Sequence, residues 1–282
     1  MAGDAPPGPP PRSPSAILRA TPSNNTAEIF NVIANREVSI VYQPIVDLQR
    51  RKVFAYEALA RSKSPHFAGP LPLFAAAVEH KCTGELGRLL RRMALEGCPN
   101  APLFINIHPS ELNEQYLIQP DDAIFNHHDD VYLEITESVP LSHFEMCQSM
   151  LHEVRGRGVH LVVDDLGAGY SNLKYIADLH PRVVKIDRGL VDGLTINSRL
   201  FKLVSAIVKL CKDLDALVVA EGIETVSEFD AVVASGARYA QGYLLARPAF
   251  PLPDAIWPER GGEPAETLTQ PRRKNHTLNR RM

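Results

Sequence analysis

The sequence predicts an α/β protein built as a TIM-type (β/α)8 barrel, and three observations carry that expectation. Short, nearly all-apolar runs alternate with amphipathic helical stretches along most of the chain, which is the pattern of parallel strands covered by helices on both faces. The number of these units suits a closed barrel better than an open doubly wound sheet, the structural runner-up. Polar and charged residues recur inside or at the ends of the apolar runs, and a barrel gathers its strand ends on one face, where sites are built.

Taken in order, residues 1–23 are rich in proline, and the run Pro6-Pro7-Gly8-Pro9-Pro10-Pro11 offers few backbone donors. Disorder or polyproline-like structure is expected there, with a proline-rich ligand for some partner as the sharper alternative. The barrel is expected over residues 24–258. Asn25 to Arg36 reads as a helix capped by Asn24 or Asn25, with Ile29, Val32 and Ile33 on one face. Ser39 to Asp47 reads as a strand, Gln49-Arg50-Arg51 as a polar turn and Lys52 to Ala60 as a second strand, together an antiparallel hairpin. Further strands are expected at Leu103–Ile107, Val131–Ile135, Val159–Asp164, Val183–Ile186, Ala216–Glu221 and Tyr239–Leu244. Helices are expected at Glu85–Gly97, His143–Gly156, Ser198–Asp213 and Thr225–Ser235. Residues 259–282 carry Arg272, Arg273, Lys274, Arg280 and Arg281 and read as a solvated, disordered basic tail, with a nucleic-acid role as the weaker alternative.

Composition narrows the function. Hydrophobic residues make up 45% of the chain and charged residues 22%, enough for a sizeable core. The formal net charge of −3 argues against non-specific binding to DNA or RNA. Cys82, Cys98, Cys147 and Cys211 form no CxxC pair and no zinc-finger spacing, so free thiols in a reducing compartment are expected. No basic cluster followed by an apolar run opens the chain, and no apolar stretch approaches the ~20 residues needed to cross a bilayer. A cytoplasmic protein with no membrane partner is the expectation. Neither polar end of this sequence is expected to hold a folded sensor domain.

The chemistry lies at the strand ends. Glu57, Asn106, Glu134, Asp164, Asp165, Lys185, Glu221 and Gln241 each fall inside or at the end of an apolar run. An ionised carboxylate there is costly unless it is paired or metal-bound. Five carboxylates converging on one mouth would repel one another, and divalent cations relieve that repulsion. The all-oxygen donor set suits Mg²⁺ or Mn²⁺ rather than zinc. His108, His160 and His180 lie near strands but read as packed or hydrogen-bonded core residues. Two adjacent metals are plausible, and such a pair serves in-line displacement at phosphorus. Lys185 could pair structurally with Asp187 or a carboxylate above it; within the cluster it is better placed to orient water or offset developing negative charge. Arg61 suits a phosphate, with a surface salt bridge as the equal alternative. Asp164 to Asn172, with Gly167 and Gly169, reads as a shaped loop and not as a phosphate-cradling P-loop, since no Gly-Lys-Ser/Thr follows.

Eight segments in order, from Tyr42-Gln-Pro-Ile-Val, Glu57-Ala-Leu-Ala-Arg61 and Phe104-Ile-Asn106 through Leu133-Glu-Ile-Thr-Glu-Ser138, Asp164-Asp-Leu-Gly-Ala-Gly-Tyr-Ser171 and Val184-Lys-Ile-Asp187 to Glu221-Gly-Ile-Glu224 and Gln241-Gly-Tyr, resemble the successive motifs of the EAL-domain cyclic di-GMP phosphodiesterases. The resemblance spans about Glu28 to Pro248. It implies a (β/α)8 barrel with an antiparallel first strand and hydrolysis of cyclic di-GMP to linear pGpG with two Mg²⁺ or Mn²⁺ ions. It implies that Glu57, Asn106, Glu134 and Asp164 hold one metal, and that Asp164, Asp165 and Glu221 serve the second. Glu221 is also viewed as a general base in the family. Lys185 would position the nucleophilic water, Gln241 would support the metal shell, Glu224 would brace the loop after Asp165, and Gln43 and Arg61 would contact substrate. A homodimer formed through helices near the Asp165 loop follows by analogy, and a regulatory protein partner is a further expectation. The alternative reading is a non-catalytic cyclic di-GMP receptor acting through a partner; another phosphodiester or a sugar phosphate as substrate rests on fold alone. Leu166 and Ala168 stand where the family loop has phenylalanine and threonine, His108-Pro109 replaces a serine, and the hairpin turn lacks Thr-Gly. None of these departures removes an implied metal ligand.

Overall fold

The computed structural model describes residues 25–113, 119–136, 141–168 and 173–258. The proline-rich head, the basic tail, Glu137-Ser138 and Gly169–Asn172 lie outside the described residues. The elements are α1 (Asn25–Asn35), β1 (Val38–Asp47), β2 (Lys52–Ser62), α2 (Pro70–Glu79), α3 (Thr83–Gly97), β3 (Leu103–Asn106), β4 (Val131–Thr136) and α4 (Leu141–Gly156). Then come β5 (His160–Leu166), α5 (Lys174–Leu179), β6 (Val183–Ile186), α6 (Arg199–Asp213), β7 (Leu217–Ala220), α7 (Val226–Ser235) and β8 (Tyr239–Ala240). The eight strands close in sequence order into one barrel. Strand β1 is antiparallel to both its neighbours, β2 and β8, and all other pairs are parallel.

Local chemistry explains the elements. The β1–β2 hairpin turns because Asp47 Oδ1 accepts the N–H groups of Gln49 and Arg50, each at 2.9 Å, an Asx-type turn, and Arg51 takes positive φ (50°). Ser198 caps α6 by accepting from Phe201 N–H at 3.0 Å. Thr225 and Glu228 form a reciprocal capping box at the start of α7. Helix α2, unanticipated because Gly69-Pro-Leu-Pro reads as loop, starts with proline in its first turn, where no N–H partner is needed. Strand β8 ends at Ala240 rather than Leu244, because Gly242 turns the chain against the backbone of Ile223, and a Cβ there would collide with it. Ile223 N–H donates to Gln241 O, and Leu244 N–H to Ile223 O. Short α5 was also missed, as were the two 3₁₀ turns, Pro109–Asn113 and Ala123–Phe125, in the β3–β4 connection.

Strand periodicity divides the barrel interior into layers. A floor takes one buried residue from every strand: Ile45, Ala55, Phe104, Tyr132, Val162, Val183, Val219 and Tyr239. Phe104 stacks on Tyr132 at 4.4 Å, and the half-buried Phe54 stacks on Tyr239 at 4.1 Å. The residues between, among them Ile105, Leu133, Val163, Val184, Ala220 and Ala240, face outward into the main core beneath the helices. Side chains alternate faces along a strand. Two residues from each floor position, toward the opposite mouth, the interior therefore receives Gln43, Glu57, Asn106, Glu134, Asp164, Lys185, Glu221 and Gln241. Along β1 the count runs backward, from Ile45 to Gln43, because that strand runs the other way.

Candidate active site

The upper layer is a ring of polar groups around one ammonium. Lys185 is 1% exposed, and its Nζ lies 2.5 Å from Glu134 Oε1, 2.6 Å from Glu221 Oε1, 3.2 Å from Asp164 Oδ1 and 3.5 Å from Glu57 Oε1. The alternative pairing with Asp187 does not occur; that side chain accepts from Gly189 N–H at 2.8 Å. Glu57 Oε1 accepts from Asn106 Nδ2 at 3.1 Å, and its Oε2 accepts from Gln241 Nε2 at 2.6 Å. Gln241 Nε2 also donates to Gln43 Oε1 at 3.0 Å, and Gln43 Nε2 donates to Ala246 O at 3.0 Å. Residues from six strands and from the turns after β7 and β8 thus form one connected network.

Asp164 and Asp165 are adjacent, so regular strand geometry would aim them at opposite faces. The β5–β6 register shifts between Val163 and Leu166, and Asp165 takes φ 59°. This bulge brings one carboxylate oxygen each of Asp164, Asp165 and Glu221 within 4.8 Å of one another.

The electrostatics are those of crowded anions. Burial pushes the Glu221 carboxyl up to about 8, with Asp164 and Glu57 adding to it against the pull of Lys185. Burial, then the Asp164 charge, raises Asp165 to about 6. Burial also raises Glu134 well above the carboxylate range. Burial alone would raise Glu57 too, but Lys185 and the bonds donated by Gln241 and Asn106 hold it below its ordinary value. Burial disfavours the Lys185 ammonium, yet the carboxylates of Asp164, Glu134, Glu221 and Glu57 hold it strongly protonated.

One cation does not satisfy this ring. Glu134 Oε2 and Gln241 Oε1 are buried with no hydrogen-bond partner among the described residues, and Glu134 Oε1 and Asp164 Oδ1 have only the shared Lys185 ammonium, at 2.5 and 3.2 Å. Buried oxygens in this condition are costly. An all-oxygen set with one amide fits hard divalent ions, so the residues present fit the expected metal.

Beside the ring lies a cavity of about 220 Å³ whose walls include Gln43, Glu57, Glu221, Arg188, Glu224 and Tyr243. Arg188 was not anticipated, its signal being proximity in sequence to Lys185, and Tyr243 was read only as the end of the Gln241-Gly-Tyr segment, with no role. Glu224 pairs with Arg188 at 2.7 Å; of the loop after Asp165 that it was expected to brace, residues 169–172 lie outside the described residues. Arg61 sits at the end of β2, donating from Nη1 to Ala60 O at 2.9 Å, and forms no ion pair among the described residues. His108 is half-buried and stacks on Phe74 at 5.4 Å, accepting from Ser110 N–H through Nδ1. His160, at the far end of β5, lies 3.4 Å from Asp130. His180 is exposed rather than in the core, because it is the left-handed residue (φ 44°) that ends α5. All four cysteines are buried and free. Among the described residues no helix is long and apolar enough to cross a membrane.

Known proteins resemble this chain over most of its length. RocR of Pseudomonas aeruginosa, a cyclic di-GMP phosphodiesterase, is 30% identical over 239 residues, covering 79% of this chain and 60% of RocR. The oxygen sensor protein DosP of Escherichia coli is 31% identical over 238 residues, covering 79% of this chain and 30% of DosP. The chain thus spans under two thirds of the length of these curated relatives. The manganese and cyclic di-GMP complex of BlrP1 from Klebsiella pneumoniae superposes with a TM-score of 0.65 at 30% identity, covering 76% of this chain and 56% of that one. The PaMucR phosphodiesterase complex with c-di-GMP gives 0.68 at 27% identity, covering 76% and 97%. The profile of the EAL domain matches residues 26–248. With the barrel, the reversed first strand and the acidic ring in hand, that match places this chain in the EAL domain family.

Proposed function

We propose that this protein is a metal-dependent phosphodiesterase that hydrolyses cyclic di-GMP to linear pGpG and so lowers the level of that messenger. The carrying observation is the ring itself: carboxylates from separate strands and from the turn after β7 gather around Lys185, more of them than one ammonium neutralises, and Glu134 Oε2 and Gln241 Oε1 are left without a partner among the described residues. The likeness to RocR and to the manganese and cyclic di-GMP complex of BlrP1 supports the substrate and the cation. Glu57, Asn106, Glu134 and Asp164 would hold one Mg²⁺ or Mn²⁺ ion, and Asp164, Asp165 and Glu221 the second. When bound, such ions make water a nucleophile at neutral pH and neutralise charge on the phosphoryl oxygens. Lys185 orients the attacking water and Glu221 accepts its proton. Gln241 holds Glu57 in place, Gln43 and Arg61 contact the nucleotide, and Glu224 fixes Arg188 at the cavity rim. The carriage of these roles on rigid strand ends favours precise alignment. We further propose a cytoplasmic location, in keeping with the four free cysteines, and a homodimer.

The test is chromatographic. Purified protein with cyclic di-GMP and Mg²⁺ or Mn²⁺ should yield pGpG, and Ca²⁺ should support binding but little turnover, since its looser coordination suits the site poorly. Nucleotide bound and recovered uncut in Mn²⁺ would overturn the enzymatic reading in favour of a receptor.

A further inference from the structure

A second charge cluster lies away from the ring, under the connection from β3 to β4. Every other parallel crossover carries an α-helix; this one shows only the two 3₁₀ turns among its described residues. A crossover helix normally fixes its loop by packing an apolar stripe on the barrel. Here α3 supplies the hold through Arg91, which is 1% exposed. Its Nη1 pairs with Glu111 Oε2, in the first turn. Its Nε and Nη2 donate to Asp122 Oδ2 at 3.2 and 2.9 Å, where the second turn begins. Asp122 Oδ1 in turn accepts from Ile124 N–H at 3.2 Å. One guanidinium fork thus grips both turns. Gly87, one helical turn before Arg91, leaves the room: a Cβ there would collide with the Glu111 carboxylate.

The cluster connects to the ring through a few backbone atoms. Glu111 Oε1 accepts the His108 N–H at 2.9 Å, two residues after Asn106. Ile107 N–H donates to Glu134 O at 3.2 Å, and Asn106 Nδ2 bonds Glu57. Asn106 opens to the mouth rather than being buried, so the backbone on its far side decides where its amide points. Three buried charges are a costly way to obtain mere cohesion, since apolar side chains of similar volume commonly stabilise as well. What charge-assisted bonds add is direction.

We infer that Arg91, Glu111 and Asp122 are positioning residues for Asn106, setting the backbone that presents this ligand to the metal. The inference rests on the metal-binding reading above. Two readouts test it on the purified protein: Mn²⁺ affinity by calorimetry, and amide hydrogen exchange over residues 107–113 without metal. Arg91→Met strands two carboxylates and should lower the melting temperature and the Mn²⁺ affinity and speed exchange over 107–113. The combined variant Arg91→Leu, Glu111→Leu, Asp122→Asn removes the ion pairs while keeping the volume filled. It should melt close to the parent, yet bind Mn²⁺ about tenfold or more weakly, the range known for loss of groups that support a ligand, and exchange faster at 107–113. If it does not fold, Gly87→Ala, which displaces the Glu111 carboxylate and keeps every charge, should give the same two changes. Parental Mn²⁺ affinity in the folded variant would overturn the inference, whatever the exchange at 107–113. A parent that binds Mn²⁺ but leaves cyclic di-GMP uncut overturns the phosphodiesterase reading and not this one, because neither readout uses turnover.

Discussion

Glu57 shows what a single side chain does in the ring. It accepts from two amides, faces Lys185 and is one of the proposed ligands. Glu57→Ala should reduce turnover by more than the ~100-fold that loss of a merely supporting group costs, while circular dichroism shows an intact, cooperative melt. Near-parental production of pGpG by that variant would remove the ring from the chemistry. The raised carboxyls give a second expectation. Asp165 (about 6) and Glu221 (about 8) hold protons more tightly folded than unfolded. The stability they contribute is complete below the ordinary carboxylate range and is lost as pH rises through those values. The metal-free melting temperature should therefore fall from about pH 5 to about pH 9, and the increase given by Mn²⁺ should grow over the same interval, since binding displaces protons. A flat metal-free profile would mean the two carboxyls do not share one enclosure.

At the scale of elements, α7 joins two loops of the mouth. Glu228 accepts from Glu224, Thr225 and Gly193 N–H groups, and Thr225 Oγ1 caps Glu228 N–H. Thr225→Ala should cost about 1 kcal/mol, read as a lower urea midpoint with unchanged m-value; no change in midpoint would show the cap to be idle. Strands, the hairpin, the Ser198 and Thr225 helix starts and the ring residues were legible because each depends on short-range pattern: apolar runs, turn residues and charges out of place in them. Helix α2 was not, since its prolines mimic a loop. The Arg91 triad was not either, because a buried arginine and an exposed one look alike when their partners lie 20 and 31 residues away. Asp164 and Asp165 were both read at the mouth, but the bulge that turns the second of them toward it leaves no mark beyond the two letters themselves.

The whole molecule is a barrel with two interior storeys, an aromatic floor and a polar ring, set two residues apart on every strand. The floor supplies cohesion and the ring carries the proposed chemistry, so the two should separate experimentally. Phe104→Ala leaves the ring residues in place and should cost about 3–5 kcal/mol in denaturant unfolding, with turnover per folded molecule retained. A loss of turnover matching that of Glu57→Ala in still-folded protein would show the storeys to be coupled.

Because Phe104, Tyr132, Tyr239 and their neighbours seal one end, the proposed reaction takes place in a cul-de-sac. In that reading cations, nucleotide and product would share the one open end of the barrel among the described residues, and whatever lodged deepest would arrive first and depart last. A seated dinucleotide becomes a stopper over the ions beneath it, so a chelator added afterwards should find nothing to strip until the product has gone.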